Sequence, residues 1–142
     1  MASRRLTASG VKALRGVDMR ILVPGSHIDK QFVRTAGRAA YDQLIDAGIQ
    51  IYEYCPTMLH AKTLTVDETW SSVGSVNFDN RSFQLHDEVT LCVQSERFAG
   101  ELHEVFERDL EDSERIAPDE WRERPITQRA RENVTKYARR EL

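Results

Sequence analysis

The chain has 142 residues, 40% of them hydrophobic and 30% charged, with a formal net charge of −3. That length fits one domain able to bury about two-thirds of its unfolded surface, and the composition is that of a folded chain rather than a disordered one. The acidic balance excludes the overall basic footprint of a duplex binder, so no nucleic-acid partner is expected.

The elements follow in chain order. "LTASGVKALRG" (6–16) reads as a short helix closed by Gly16. "VDMRILV" (17–23) is a strand ended by Pro24 and Gly25. "DKQFVRTAGRAAYDQLIDAG" (29–48) is one long helix: Phe32, Ala36, Ala39, Ala40, Leu44 and Ala47 keep helical spacing, and Gly48 caps it. "IQIYEY" (49–54) alternates as a strand, and "HAKTLTVD" (60–67) is another. "DETW" makes the hairpin turn, "WSSVGSV" (70–76) is the return strand, and "FDNRSF" is a polar loop. "EVTLCVQ" (88–94) is a strand. "SERFAGELHEVFERDLEDSERI" (95–116) is a helix with Ser95 as N-cap and a stripe of Phe98, Leu102, Val105, Phe106 and Leu110. Helices alternate with strands and hairpins follow, so the fold class is α/β with a mixed sheet flanked by helices. Residues 119–142 form a basic helical tail whose thin stripe is Ile126, Ala130, Val134 and Tyr137; it reads as a surface helix or as a basic amphipathic helix on anionic lipid.

Cys55 and Cys92 make neither a disulfide framework nor a CxxC site, and read as small, partly buried residues of a reducing compartment. No apolar run approaches the roughly 20 residues that span a bilayer. "MASRRLTASG" has no apolar h-region after its arginines, so it is no secretory signal. The helix-first order hints at a segment upstream of Met1.

The chemistry concentrates in "LHAKTLTVDETWSSVGSVNFDNRS" (59–82). In a strand, residues i and i+2 point the same way, so His60 and Lys62 share a face, with Leu64 and Val66 continuing it inward and Asp67 closing it. A histidine can act as nucleophile or general acid, and a lysine beside it supplies fixed positive charge, a pair suited to a tetrahedral anion such as a phosphodiester. Gly74 allows close backbone approach, while Ser75 and Asn77 add neutral donors. Asp87 and Glu88 lie on the following strand, where a carboxylate can hold a histidine's tautomer. A metal site fits poorly, because Lys62 would set a cation beside it. On the residues alone, each of these groups reads equally well as an ordinary surface residue.

"HAKTLTVD" matches HxKxxxxD, the HKD motif of the phospholipase D superfamily, and "GSVN" matches that family's GSxN at its spacing. "NRSFQLHDEV", "GVDMRILVPG", "YDQLIDAGIQIYEY" and "PTMLHAKTLTVD" further resemble the C-terminal half of bacterial cardiolipin synthases, from about Val11 to Trp121. The resemblance implies a phospholipase D-like lobe over residues 1–118, one of two that complete a site, here without its first strand. It implies His60 as the acid/base partner of a nucleophilic histidine on another HKD motif. Lys62, Ser75 and Asn77 would bind the phosphate, Asp67 would serve in the catalytic motif as a structural orienter, and Glu88 would hydrogen-bond the histidine. No metal or other cofactor is implied, the lysines and asparagines supplying the charge stabilisation.

The implied reaction is phosphatidyl transfer through a phosphohistidine: two phosphatidylglycerols give cardiolipin and glycerol. The implied partners are phosphatidylglycerol, a membrane surface on which the protein is peripheral, and a second HKD lobe in cis or in a homodimer. His86 and Thr90 depart from the Asn that many relatives carry at each position. Two other readings stand beside this one: a single-motif phosphodiesterase or nuclease active as a homodimer, and an inactive lipid-binding remnant.

Overall fold

The computed structural model describes residues 16–27, 31–75, 89–125 and 127, with the side chains of residues 31–33 and 36 outside that set. The helix expected over 6–16 therefore lies outside the described residues except for Gly16, whose φ of +95° is a helix-ending conformation that glycine adopts freely. The stripe expected at Ile126, Ala130, Val134 and Tyr137 lies outside them as well.

The elements are β1 (Arg20–Pro24), α1 (Gln31–Arg38), α2 (Tyr41–Asp46), β2 (Gln50–Tyr54), β3 (Thr63–Val66), β4 (Trp70–Gly74), β5 (Thr90–Gln94), α3 (Glu96–Glu111), β6 (Ser113–Arg115) and α4 (Pro118–Glu123). They form an α/β fold with two three-stranded sheets, β1-β2-β6 and β3-β4-β5. The chain divides into two compact units, Met1–Leu59 with Asp112–Leu142, and His60–Glu111.

In the first unit β1 and β2 run parallel, joined through α1 and α2, and β6 pairs antiparallel with β2. The helix expected over 29–48 is two helices. The Ala40 N–H donates to the Gly37 carbonyl at 3.0 Å, a tight turn at a weak helix former, and the axis breaks there. Gly48 ends α2 as expected: with φ at +86°, its N–H donates to Ile45 O while Ile49 N–H reaches back to Leu44 O, the paired bonds of a Schellman cap.

The core of this unit is Tyr41, Ile45, Ile51 and Trp121, with Val23, Leu44 and Ile116 packed against them. Glu53, 3% exposed, is buried beside it. Arg34, Arg38 (3.0 Å) and the Tyr41 hydroxyl (3.2 Å) all donate to that carboxylate. Burial, reinforced by the Glu53 charge, pushes the Tyr41 phenol above its ordinary range. Trp121 brings α4 in: its Nε1 donates to Asp42 at 2.7 Å, and the Arg38 and Arg124 guanidiniums lie 4.9 and 3.7 Å from its ring centroid.

The second unit is an antiparallel meander, β3-β4-β5, with α3 against it. Ser95 caps α3 as expected, its Oγ accepting the Phe98 N–H at 3.3 Å. The helix expected to reach Ile116 stops at Glu111; Ser113–Arg115 instead takes the free edge of β2, where ladder pairing outweighs local helix preference.

Alternation along β3 and β4 buries the face carrying Ser71, while Leu64 and Val66 are 42% and 44% exposed on the other. The expectation that Leu64 and Val66 point inward is thus reversed, because the strand's buried face is the one with Thr65 and Ser71. Cys55 and Cys92 are both exposed, not partly buried. Among the described residues no helix is long and apolar enough to cross a membrane.

Candidate active site

The β3–β4 hairpin builds the candidate site within the second unit. Its tip is the three-residue connection Asp67–Thr69 between the paired Val66 and Trp70: Asp67 and Glu68 have φ of 50° and 51°, and Thr69 N–H closes the turn onto Val66 O at 3.1 Å. Positive φ at both central residues is the type I′ turn that matches the right-handed twist of paired strands. With Thr69 as one further residue after that turn, the register is Thr63↔Val73, Leu64↔Ser72, Thr65↔Ser71 and Val66↔Trp70.

That register sets the open end of the hairpin. Gly74 N–H donates to Lys62 O at 3.1 Å, so pairing continues one rung beyond β3, and β5 adds Thr90 opposite Gly74. Lys62, Gly74 and Thr90 therefore form one cross-strand row on the face that also carries Leu64 and Val66. Lys62 is half-buried there, with a residue lacking a side chain beside it. His60 is exposed two residues before the end of this pairing, outside the regular strand.

A Cβ on Gly74 would stand 2.5 Å from Val89 O and 2.7 Å from Thr90 Oγ1, so the close approach expected at Gly74 is made by the β5 backbone. Thr90 enters the site by this register.

Asp67 lies at the opposite end. It is five positions on from Lys62, about 16 Å along an extended chain. The hairpin thus gathers His60, Lys62, Ser75 and Thr90 at one end and holds Asp67 at the other. Asn77, Asp87 and Glu88 lie outside the described residues. Among the described residues no group of three His, Cys, Asp or Glu side chains is arranged to hold a metal ion.

A family model described as "Cardiolipin synthase, PLD-like domain" matches residues 6–110. The chain belongs to this cardiolipin synthase, phospholipase D-like family. It is similar to cardiolipin synthase A of Proteus mirabilis (strain HI4320), 38% identical over 127 residues that cover 89% of this chain and 26% of that protein. It is likewise similar to cardiolipin synthase 2 of Bacillus anthracis, 39% identical over 129 residues, 91% of this chain and 25% of that one. Cardiolipin synthase A of Yersinia pestis bv. Antiqua (strain Angola) is 37% identical over 122 residues. The chain spans about a quarter of the length of these curated relatives. No solved structure matches it. In this phospholipase D-like domain the matched region holds the whole second unit except Glu111, the hairpin with His60, Lys62 and Ser75 included.

Proposed function

We propose that the chain supplies one half of a phosphatidyl-transfer site: His60 as acid/base, and Lys62 with Asn77 against the phosphate. What carries this reading is the placement of His60 and Lys62 at the open end of one hairpin, in a chain whose family and relatives bear the name cardiolipin synthase. The sequence holds one HxKxxxxD motif, so the second histidine comes from another lobe, in cis or from a second copy.

That histidine attacks phosphorus of phosphatidylglycerol; a P–N bond forms, the P–O bond to glycerol breaks, and His60 gives its proton to the departing alkoxide. The Lys62 ammonium offsets the charge that builds on the phosphoryl oxygens. Neutral His60 then takes the proton of the acceptor's hydroxyl, which attacks phosphorus, breaks the P–N bond and yields cardiolipin. Glu88 holds the histidine, and Asp67 shapes the hairpin from its far end. Phosphatidylglycerol in a membrane surface is the substrate, approached peripherally.

The test supplies phosphatidylglycerol vesicles to the chain together with a second HKD lobe and follows cardiolipin and glycerol by mass spectrometry. His60→Ala is expected to lower turnover by about a thousandfold or more. Parental turnover in His60→Ala would end this reading. The single motif also favours a second arrangement, a homodimeric phosphodiesterase in which two copies of His60 face each other. Hydrolysis of a soluble phosphodiester by the chain alone, rising with the square of protein concentration, would select it.

A further inference from the structure

The end of β4 is built unlike an ordinary strand end, and both of its unusual contacts fall on Val89, the residue before β5. In a regular antiparallel ladder every second opposed pair exchanges two backbone bonds, and with the Gly74 N–H turned to Lys62 O the next residue, Ser75, belongs to such a pair with Val89. Ser75 stands opposite Val89, one rung beyond the Gly74↔Thr90 pair. Its N–H donates to Val89 O at 2.9 Å, which is the expected half of the exchange. The other half is altered: Val89 N–H donates to Ser75 Oγ at 3.1 Å instead of to a backbone carbonyl.

The side chain thus replaces the main chain in the last rung. Among the described residues this is the last rung of the β4 edge, and Val89 is held in it by both bonds. The serine hydroxyl itself is 3.4 Å from Val89 O, so the Oγ is set among Val89's backbone atoms on both sides. Pleat geometry agrees, since consecutive residues point to opposite faces and Ser75 follows Gly74, which shares its row with Lys62.

Gly74 serves the same junction. The space its missing Cβ would fill is taken by Val89 O at 2.5 Å and Thr90 Cα at 2.8 Å, both backbone atoms that cannot swing aside. Glycine lets β5 come close, and serine then ties it.

We propose that Gly74 and Ser75 are a clasp on Val89, and that Ser75 is a positioning residue rather than a phosphate ligand. The clasp joins the two ends of the segment 76–88, so it sets where the chain leaves and re-enters the sheet. Asn77 is two residues beyond Ser75 and Glu88 is the residue before Val89, so both groups assigned to the phosphate and the histidine hang from it. The proposal rests on the phosphate reading of this site only for what the clasp positions.

Hydrogen exchange at the Val89 amide tests the clasp without any turnover. In Ser75→Ala it is expected to exchange at least about tenfold faster than in the parent, because the acceptor is gone. Ser75→Thr, which keeps a hydroxyl at the same place, should restore exchange to within about threefold of the parent. The Gly74 amide, bonded to Lys62 O, should keep its parental rate in both, which shows that the hairpin is folded. Equal Val89 exchange in parent and Ser75→Ala would overturn the clasp.

A titration with inorganic phosphate, followed by NMR, separates positioning from binding. Lys62→Ala should bind at least about tenfold more weakly; any loss in Ser75→Ala should accompany the faster Val89 exchange and be recovered, with that exchange, in Ser75→Thr. A tenfold loss in Ser75→Ala with unchanged Val89 exchange would make Ser75 a phosphate ligand and defeat the proposal. A parent chain that binds no phosphate counts against the function proposed above, while the exchange measurement still decides the clasp.

Discussion

The first unit closes around Tyr41, Ile45, Ile51 and Trp121 and buries a carboxylate with three donors on it. In the second, only Ala99 and Ser71 fall below a tenth exposed among the described residues. Ser71 Oγ has no hydrogen-bond partner there either. Side-chain packing is therefore concentrated in one unit and the candidate chemistry in the other. Among the described residues, what holds the site-bearing hairpin is its ladder, its turn and the junction ahead of β5. Side-chain truncations should weaken the first unit most, and backbone and turn changes the second.

The largest expected effect is at Glu53. Glu53→Ala leaves Arg34 and Arg38 without the carboxylate they share, and removing one partner of a buried ion pair costs about 3–5 kcal/mol. Arg97→Ala in the second unit removes only an exposed Arg97–Glu101 pair and should change stability by less than about 0.5 kcal/mol. Urea unfolding followed by fluorescence reads each unit in single-tryptophan backgrounds, Trp70→Phe for the first and Trp121→Phe for the second, because Trp121 belongs to the first and Trp70 to the second. Similar losses in the two variants would break the comparison.

A packing pair sharpens it. Ile51 is 1% exposed, and Ile51→Ala should cost about 2–5 kcal/mol. Leu64 is 42% exposed, and Leu64→Ala should cost less than about 1 kcal/mol. A cost at Leu64 equal to that at Ile51 would mean that its face is covered in solution.

The same contrast explains what was legible in the sequence. Strands β1, β2, β4 and β5, the Gly48 cap, the Ser95 cap and the Asp67–Thr69 turn all carry local signals, namely apolar runs, glycine after a helix, serine before one and polar turn residues. The break after Arg38 carried only the weak signal of Gly37, overridden in the reading by apolar spacing that continues through Ala39 and Ala40; the break goes with Arg34, Arg38 and Tyr41 all meeting Glu53. Strand β6 was hidden for the same reason, since "SER" gains its conformation from the β2 edge. Alternation along "KTLTV" gave two faces but not which one is buried, and the apolar residues proved to be on the exposed one. At the site, motif spacing named His60, Lys62 and Ser75, but only the register revealed that Ser75 turns to Val89 and that Thr90 joins the Lys62 row.

The pH dependence of the first unit should have a component from Tyr41. Its phenol is raised above the ordinary value of 10.0, by burial first and by the Glu53 charge second. The folded state then holds the proton more tightly than the unfolded one. The stabilisation is complete below about pH 10 and is lost as pH rises from there toward the folded value, at up to about 1.4 kcal/mol per unit. Unfolding midpoints of the parent should fall between pH 10 and 11.5 more steeply than those of Tyr41→Phe. Identical slopes would remove Tyr41 as the source. Trp70 fluorescence, reporting on the other unit, should not show the difference.

The smallest effect tests the turn that sets the site's register. Asp67 and Glu68 both have positive φ, yet only aspartate among them tolerates that region well, its short side chain hydrogen-bonding locally. Glutamate there is strained, and its compensating contact is a 3.8 Å approach to His103, with the Glu68 side chain 70% exposed. An exposed pair at that distance is worth little. Glu68→Gly gives the Asp-Gly pair that type I′ turns favour, so it should stabilise the second unit by about 0.5–1 kcal/mol while leaving the Trp121 signal unchanged. The gain should appear as slower exchange at the Gly74 amide, which lies at the other end of the hairpin and depends on the register that the turn fixes. A loss of stability instead would mean that the His103–Glu68 contact outweighs the backbone strain, and that this unit, too, relies on its side chains.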